Sequence, residues 1–187
     1  MTAHLGLIGT FAIASSVALW AQSPPPVNGV NGTMAIEGTT SNVYRALNVV
    51  VVQAIDGVEH VIHYTKDLLV HGGKDTGGDA LQGLEQGTTV VVHYTVNGAE
   101  ETAQEIDRVG DQGLKKTEGV IARVDRRRKQ ITVRFDDGDT ETLQLTDRAA
   151  AEAETDLSTA PKDGARVVVY YSDEAGRKVA HYFKKIS

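Results

Sequence analysis

The chain has 187 residues, a net charge of −6 and no cysteine. This mild acidity argues against general nucleic-acid binding, which needs a basic footprint. The missing cysteines exclude a disulfide framework, thiolate catalysis and zinc fingers of the usual cysteine type.

Residues 5 to 19 read LGLIGTFAIASSVAL. This apolar run is short for a membrane span and suits the core of a secretory signal, with cleavage after Ala21. Residues 1 to 21 are therefore expected to be a signal peptide, and the mature chain is expected to be periplasmic or secreted with no membrane span. Two features depart from the usual pattern: no Lys or Arg precedes the run, and Leu19 is large for its place before the cut. An uncleaved anchor is the alternative. Residues 22 to 32, QSPPPVNGVNG, form a Pro/Gly-rich linker that is extended at Pro24-Pro25-Pro26 or disordered throughout.

The first folded unit spans 33–109. Strands are expected near 35–45, 48–54 and 58–65. A glycine-rich loop follows from Lys66 to Gln86, with a short helical turn near Asp79–Gln82, and then a hairpin turning at Asn97-Gly98, the strongest short-range hairpin signal. Residues 110–116 link this unit to a second one, 117–187. Its strands are expected near 119–125, 130–135, 140–146, 166–172 and 178–184, with a helix-prone DRAAAEAETD between the third and fourth.

The two units are copies. NVVVVQAIDGVEHVIHYT from Asn48 returns as KQITVRFDDGDTETLQLT from Lys129 at an offset of 81, without a gap. A second block, GTTVVVHYTVNG from Gly87, returns as GARVVVYYSDEAG from Gly164. Alternation along a strand then assigns facing. Val50, Val52 and Ala54 match Ile131, Val133 and Phe135, and Ile62 and Tyr64 match Leu143 and Leu145, so these positions point inward in both copies. Both sets share one side of the ribbon only if the turn has three residues, Ile55-Asp56-Gly57 and Asp136-Asp137-Gly138. That turn pairs Val50 with Ile62 and Ile131 with Leu143, with glycine in the left-handed position. The expected fold is all-β: tandem five-stranded OB-like barrels with a short helix or loop between strands 3 and 4 of each, an SH3-like barrel being the alternative.

EGTTSNVYRALNVVVVQAIDG, VIHYTKDLLVHGGKDTG, VVVHYTVNG and VVVYYSDEAGRKVAHYFKKI resemble uncharacterised exported bacterial proteins with tandem OB-like barrels, a group of periplasmic domains of unknown function. The resemblance implies a fold and an extracytoplasmic setting. It implies no activity and no functional residues.

Histidine is concentrated in the first copy, at His60, His63, His71 and His93, while the second copy has His181. Neutral imidazole is a common metal ligand, and these four form the candidate metal set, against a reading as ordinary surface or rim histidines. His60 and His63 lie an odd number apart on one strand and so face opposite ways; His63 and His93 meet only if their strands are neighbours. The run HGGKDTGG from His71 lacks the spacing of a phosphate-binding P-loop and reads as a connector. Arg126, Arg127, Arg128 and Lys129 sit at the first turn of the second unit, where an OB-fold often grips a polyanion, with Tyr170, Tyr171, Tyr182 and Phe183 as aromatic candidates; the alternative is a solvated turn. Val49, Val51 and Val61 form an apolar strip on the outer face of the first hairpin, expected to contact the second barrel or another subunit.

Ser41, Ser158 and Ser172 do not lie in a nucleophile elbow, and Asp136-Asp137 is most simply a turn former. No cofactor is called for. The function expected from sequence is a non-enzymatic binding or interaction module of the cell envelope, partnered by an envelope polyanion or another protein; the alternative is a periplasmic metal-binding protein that uses the first barrel's histidines.

Overall fold

The computed structural model describes residues 33–72, 81, 83–111, 113–150 and 164–186. The expected signal peptide, the Pro/Gly linker, most of the glycine-rich loop and most of the helix-prone segment lie outside them. The first barrel consists of β1 (Thr33–Tyr44), β2 (Val49–Ala54), β3 (Glu59–His71), β4 (Thr89–Asn97) and β5 (Glu100–Arg108). The second consists of β6 (Lys115–Asp125), β7 (Gln130–Arg134), β8 (Thr140–Leu145), β9 (Arg166–Glu174) and β10 (Arg177–Lys185).

Both sheets close in the same order. The first runs β1-β2-β3-β5-β4 and returns to β1; the second repeats this as β6-β7-β8-β10-β9. In each, the first strand pairs antiparallel with both the second and the fourth, and the third pairs parallel with the fifth. This is the OB-type Greek key, not an SH3-like barrel.

The hairpin register follows from its turn. Val50 pairs with Ile62 and Ile131 with Leu143. Ala54 N–H donates to the Val58 carbonyl and Phe135 N–H to that of Asp139, each at 2.8 Å, leaving three residues in each loop. Gly57 and Gly138 take φ of 85° and 91°, where a side chain would be strained.

The inward-facing positions form two separate but matched cores. Val50, Val52, Ile62, Val90, Val92 and Ile106 fill the first barrel; Ile131, Val133, Leu143, Val167, Val169 and Phe183 fill the second. Gly38 and Gly119 also correspond. A Cβ at Gly38 would lie 2.5 Å from the Gln53 carbonyl oxygen, and one at Gly119 would lie 2.4 Å from a Val133 methyl. At these points the first strand of each barrel bends close across its neighbour.

Two expectations need correction. β3 does not end at Thr65. It continues to His71 because a register shift after Tyr64 lets Leu69, Val70 and His71 pair with Glu105, Ile106 and Asp107 of β5. Nor is the outer face of the first hairpin an exposed apolar strip. Val49 and Val51 are buried, and Val61 alone of the three is exposed.

The apolar contact that joins the barrels is built elsewhere, from Val91 of β4, Leu114 of the linker, and Val168 and Tyr170 of β9. β4 and β9 are equivalent strands, so the barrels meet through corresponding outer faces. The linker is a tight loop rather than a free tether. Gly110 N–H donates to the Leu114 carbonyl and Leu114 N–H to that of Arg108, and a Cβ at Gly113 would overlap the Arg108 backbone.

A candidate metal centre between the barrels

Glu105 and Asp107 lie two residues apart on β5. The side chain between them, Ile106, fills the first core, so both carboxylates point away from it. On an isolated barrel that face would be wet. Here the second barrel covers it, and Asp107 is 0% exposed while Glu105 is 6% exposed. The extension of β3 places His71 directly beside Asp107, and its Nδ1 lies 2.7 Å from Asp107 Oδ1 and 3.1 Å from Glu105 Oε1.

The fourth group comes from the second barrel. On β10, Ala180 pairs with Tyr171 and Tyr182 with Tyr170, which leaves His181 as the extra residue of a β-bulge. Bulges re-aim side chains, often next to functional sites. This one sends His181 across the joint, its Nδ1 3.7 Å from both Glu105 Oε1 and Asp107 Oδ1. The first barrel has the same bulge between His93 and Tyr94, with Gln104 as the extra residue. The device thus occurs in both barrels, and only the second carries an imidazole on it.

One atom from each of His71, Glu105, Asp107 and His181 lies within 4.8 Å of the other three. The four separations just given, 2.7, 3.1, 3.7 and 3.7 Å, bracket the edge of about 3.4 Å expected of a tetrahedron with bonds of about 2.1 Å.

The outward-facing atoms of two of these groups, His181 and Glu105, are held by a second layer. His181 Nε2 is 2.9 Å from Ser172 Oγ, which donates to Glu174 Oε1 at 2.7 Å. With its hydrogen committed to Glu174, Ser172 accepts from His181 Nε2–H, so that once the ring is neutral its lone pair is on Nδ1, facing the carboxylates. That Nδ1 is buried and makes no hydrogen bond. Arg148 Nε, from the helical turn that begins at Asp147, lies 2.8 Å from Glu105 Oε2. Asp107 Oδ2 faces His93 Nε2 at 3.7 Å. Arg108 donates to the Gly72 carbonyl at 2.9 Å and pins the backbone next to His71.

The electrostatics are strongly coupled. Hydrogen bonding to Asp107, then to Glu105, pushes His71 up to about 10 against partial burial. Burial pushes Glu105 up, but the imidazoles of His181 and His71 outweigh it and hold the carboxyl well below the usual range. Burial pulls His181 down, and the Glu105 and Asp107 carboxylates more than reverse it.

Of the four histidines singled out from sequence, His71 is a member of the cluster and His93 stands behind Asp107. His60 is turned to the other end of β5, with Nδ1 3.0 Å from Glu101 Oε1 and its ring against Tyr94. His63 is exposed, and β3 has β2 and β5 as neighbours rather than β4, so His63 and His93 do not meet. Glu105, Asp107 and His181 were missed. The available signal was a pair of acids flanking an apolar residue on a strand, where the second copy has Tyr182 and Lys184; the bulge at His181 left no trace in the sequence.

Arg126, Arg127 and Arg128 are exposed in their turn, and Lys129 is engaged 2.6 Å from Asp147. The aromatics expected to accompany them are elsewhere. Tyr170 and Phe183 are buried, Tyr182 packs on Tyr170 at the joint, and Tyr171 lies under Lys178. Val49, Val51 and Val61 take no part in the apolar cluster at the joint. A broad surface groove beside the linker, lined by Glu85, Gln86, Arg108 and Asp111 among others, mixes both charges and excludes the four clustered groups. Among the described residues no helix is long and apolar enough to cross a membrane.

No protein-family model matches the chain, and no curated protein matches it in sequence. Among solved structures it is similar to a crystal structure of Ag(I)CusF, at 8% identity and a TM-score of 0.32, over 41% of this chain and 96% of that one. A likeness of that degree carries no argument about what this chain binds.

Proposed function

We propose that this protein is a metal-binding module of the cell envelope, holding one borderline divalent cation of the Zn(II) type between its two barrels through His71, Glu105, Asp107 and His181. The observation that carries this reading is the placement of His181 Nδ1. It is buried and bare, 3.7 Å from two carboxylate oxygens. That is too long for a hydrogen bond and close to the edge of a tetrahedral site. A metal cation there would give a short bond to a buried atom whose nearest partners are otherwise two carboxylate oxygens at 3.7 Å.

The donor set selects the class of ion. Two imidazoles and two carboxylates, with no sulfur donor, suit a borderline dication better than a soft monovalent one. Calcium and magnesium call for more oxygen ligands than this set offers. Two carboxylates also balance a 2+ charge once both imidazoles are neutral. Four protein ligands close a tetrahedral shell without the open position that a catalytic zinc needs, which supports binding rather than catalysis. The apolar amino-terminal run supports an extracytoplasmic setting.

The test is titration of the purified chain with Zn²⁺, read by calorimetry and by metal content after dialysis. One ion per chain is expected, with affinity lost when Asp107 is changed to Asn and retained when His63 is changed to Ala. Binding no tighter than millimolar, or binding untouched by D107N, would end the proposal.

A further inference from the structure

We infer that the cation acts as a clasp, so that its occupancy sets how firmly the two barrels are docked. The inference rests on the metal reading above and extends it from binding to regulation. The four donors are divided three to one. His71, Glu105 and Asp107 belong to the first barrel, and His181 belongs to the second. An ion that gathers all four must bridge the joint.

Among the described residues the rest of the joint is modest: its buried apolar part is Val91, Leu114, Val168 and Tyr170, with Val109 and Tyr182 packed against it. Its polar part contains Arg148 on Glu105 at 2.8 Å and Lys184 near Glu37 at 3.8 Å. Contacts of this scale between domains resemble transient interfaces, for which relative movement is the ordinary expectation. The tight linker keeps the barrels at high effective concentration whether or not they are docked. A bridging ion is then the component that decides between the docked state and a looser one.

The copies also differ in a way that gives this clasp a single position. At the place equivalent to Asp107 the second barrel has Lys184, and at the place equivalent to Glu105 it has Tyr182. Lys184 reaches toward Glu37 of the first barrel. One half of the pseudo-symmetric joint thus carries its own cation as a side chain, and the other half gathers donors for an added one. Coupling is reciprocal: an ion that favours the docked state is bound more tightly by it.

The chain has no cysteine, so two can be introduced at exposed sites and spin-labelled, Leu47→Cys on the first barrel and Arg127→Cys on the second. Distances between the labels are measured in the full chain after chelation and after loading with Zn²⁺, which is diamagnetic. The expected result is a broad distribution without metal that narrows at least twofold on loading. In the His181→Ala or His181→Gln background the narrowing is lost, while His63→Ala retains it. If Zn²⁺ binds one-to-one and the distribution is equally narrow with and without it, the clasp is refuted and the metal site stands. If Zn²⁺ does not bind to the doubly labelled chain or to the unlabelled parent, both fall.

Discussion

Ser172 offers a sharp test of the site because it touches none of the proposed first-layer donor atoms. Its Oγ sits 2.9 Å from His181 Nε2 and donates to Glu174 at 2.7 Å. Replacing Ser172 by Ala removes the acceptor that keeps the ring hydrogen on Nε2. Two consequences follow from the geometry. The neutral imidazole is then free to keep its hydrogen on Nδ1, facing the carboxylates, instead of on Nε2, which makes the tautomer that binds the ion less favourable. Where the hydrogen stays on Nε2, its nearest remaining acceptor is Glu174 Oε1 at 3.5 Å, a poorer partner than the hydroxyl removed. Outer-layer partners of metal ligands are typically worth 10- to 100-fold in affinity, so S172A should weaken Zn²⁺ binding by roughly that factor, about 1.4–2.7 kcal/mol. The ion should still bind one-to-one, because all four ligands are present. His181→Ala should cost more. The measurement is competition against a chromophoric chelator at fixed pH, with the metal-free melting temperature recorded beside it. Unchanged affinity in S172A, together with a clear loss in H181A, would refute the tautomer argument; equal and complete loss in both would show that Ser172 acts by holding the fold.

Binding should depend on pH with a definite sign. His71 is raised to about 10 and His181 is raised in the metal-free chain, so near neutral pH the ion must displace a proton from His71, and from His181 more of one than from a free imidazole. Calorimetry in buffers of different ionisation enthalpy should show up to two protons released, with affinity rising about tenfold per pH unit for each. For metal-free stability the direction reverses: His71 gains partners on folding, so its contribution is complete below its ordinary value of 6.5 and is lost as pH rises through about 10. Melting temperature followed by circular dichroism should fall over that window, and fall less in His71→Ala. The matched cores predict matched costs: Ile62→Ala and Leu143→Ala, both at fully buried and equivalent positions, should each destabilise their barrel by about 2–5 kcal/mol, measured by denaturant unfolding. Gly38→Ala and Gly119→Ala should each lower the melting temperature, because a new Cβ would meet the second strand closer than 3 Å.

Much of the fold was written in the chain. A period of two and a gapless repeat at an offset of 81 separated inward from outward residues. The three-residue turn then set the hairpin register, because only that turn puts both apolar sets on one side. Hydrophobic alternation is a local property, and the two matching blocks state it twice. The site was much less legible. His71 and Asp107 are 36 residues apart and meet because β3 pairs parallel with β5 beyond a register shift. Val49 and Val51 alternate correctly and are buried all the same, so alternation gave their face but not its exposure. His181 enters through a bulge that breaks the alternation used to assign faces. Asp107 is buried although it lies on the outer face of the first barrel, where His181 of the second barrel joins His71 and His93 around it. Strand order, bulges and docking depend on contacts distant in sequence, and those decided which of the ionisable groups converge.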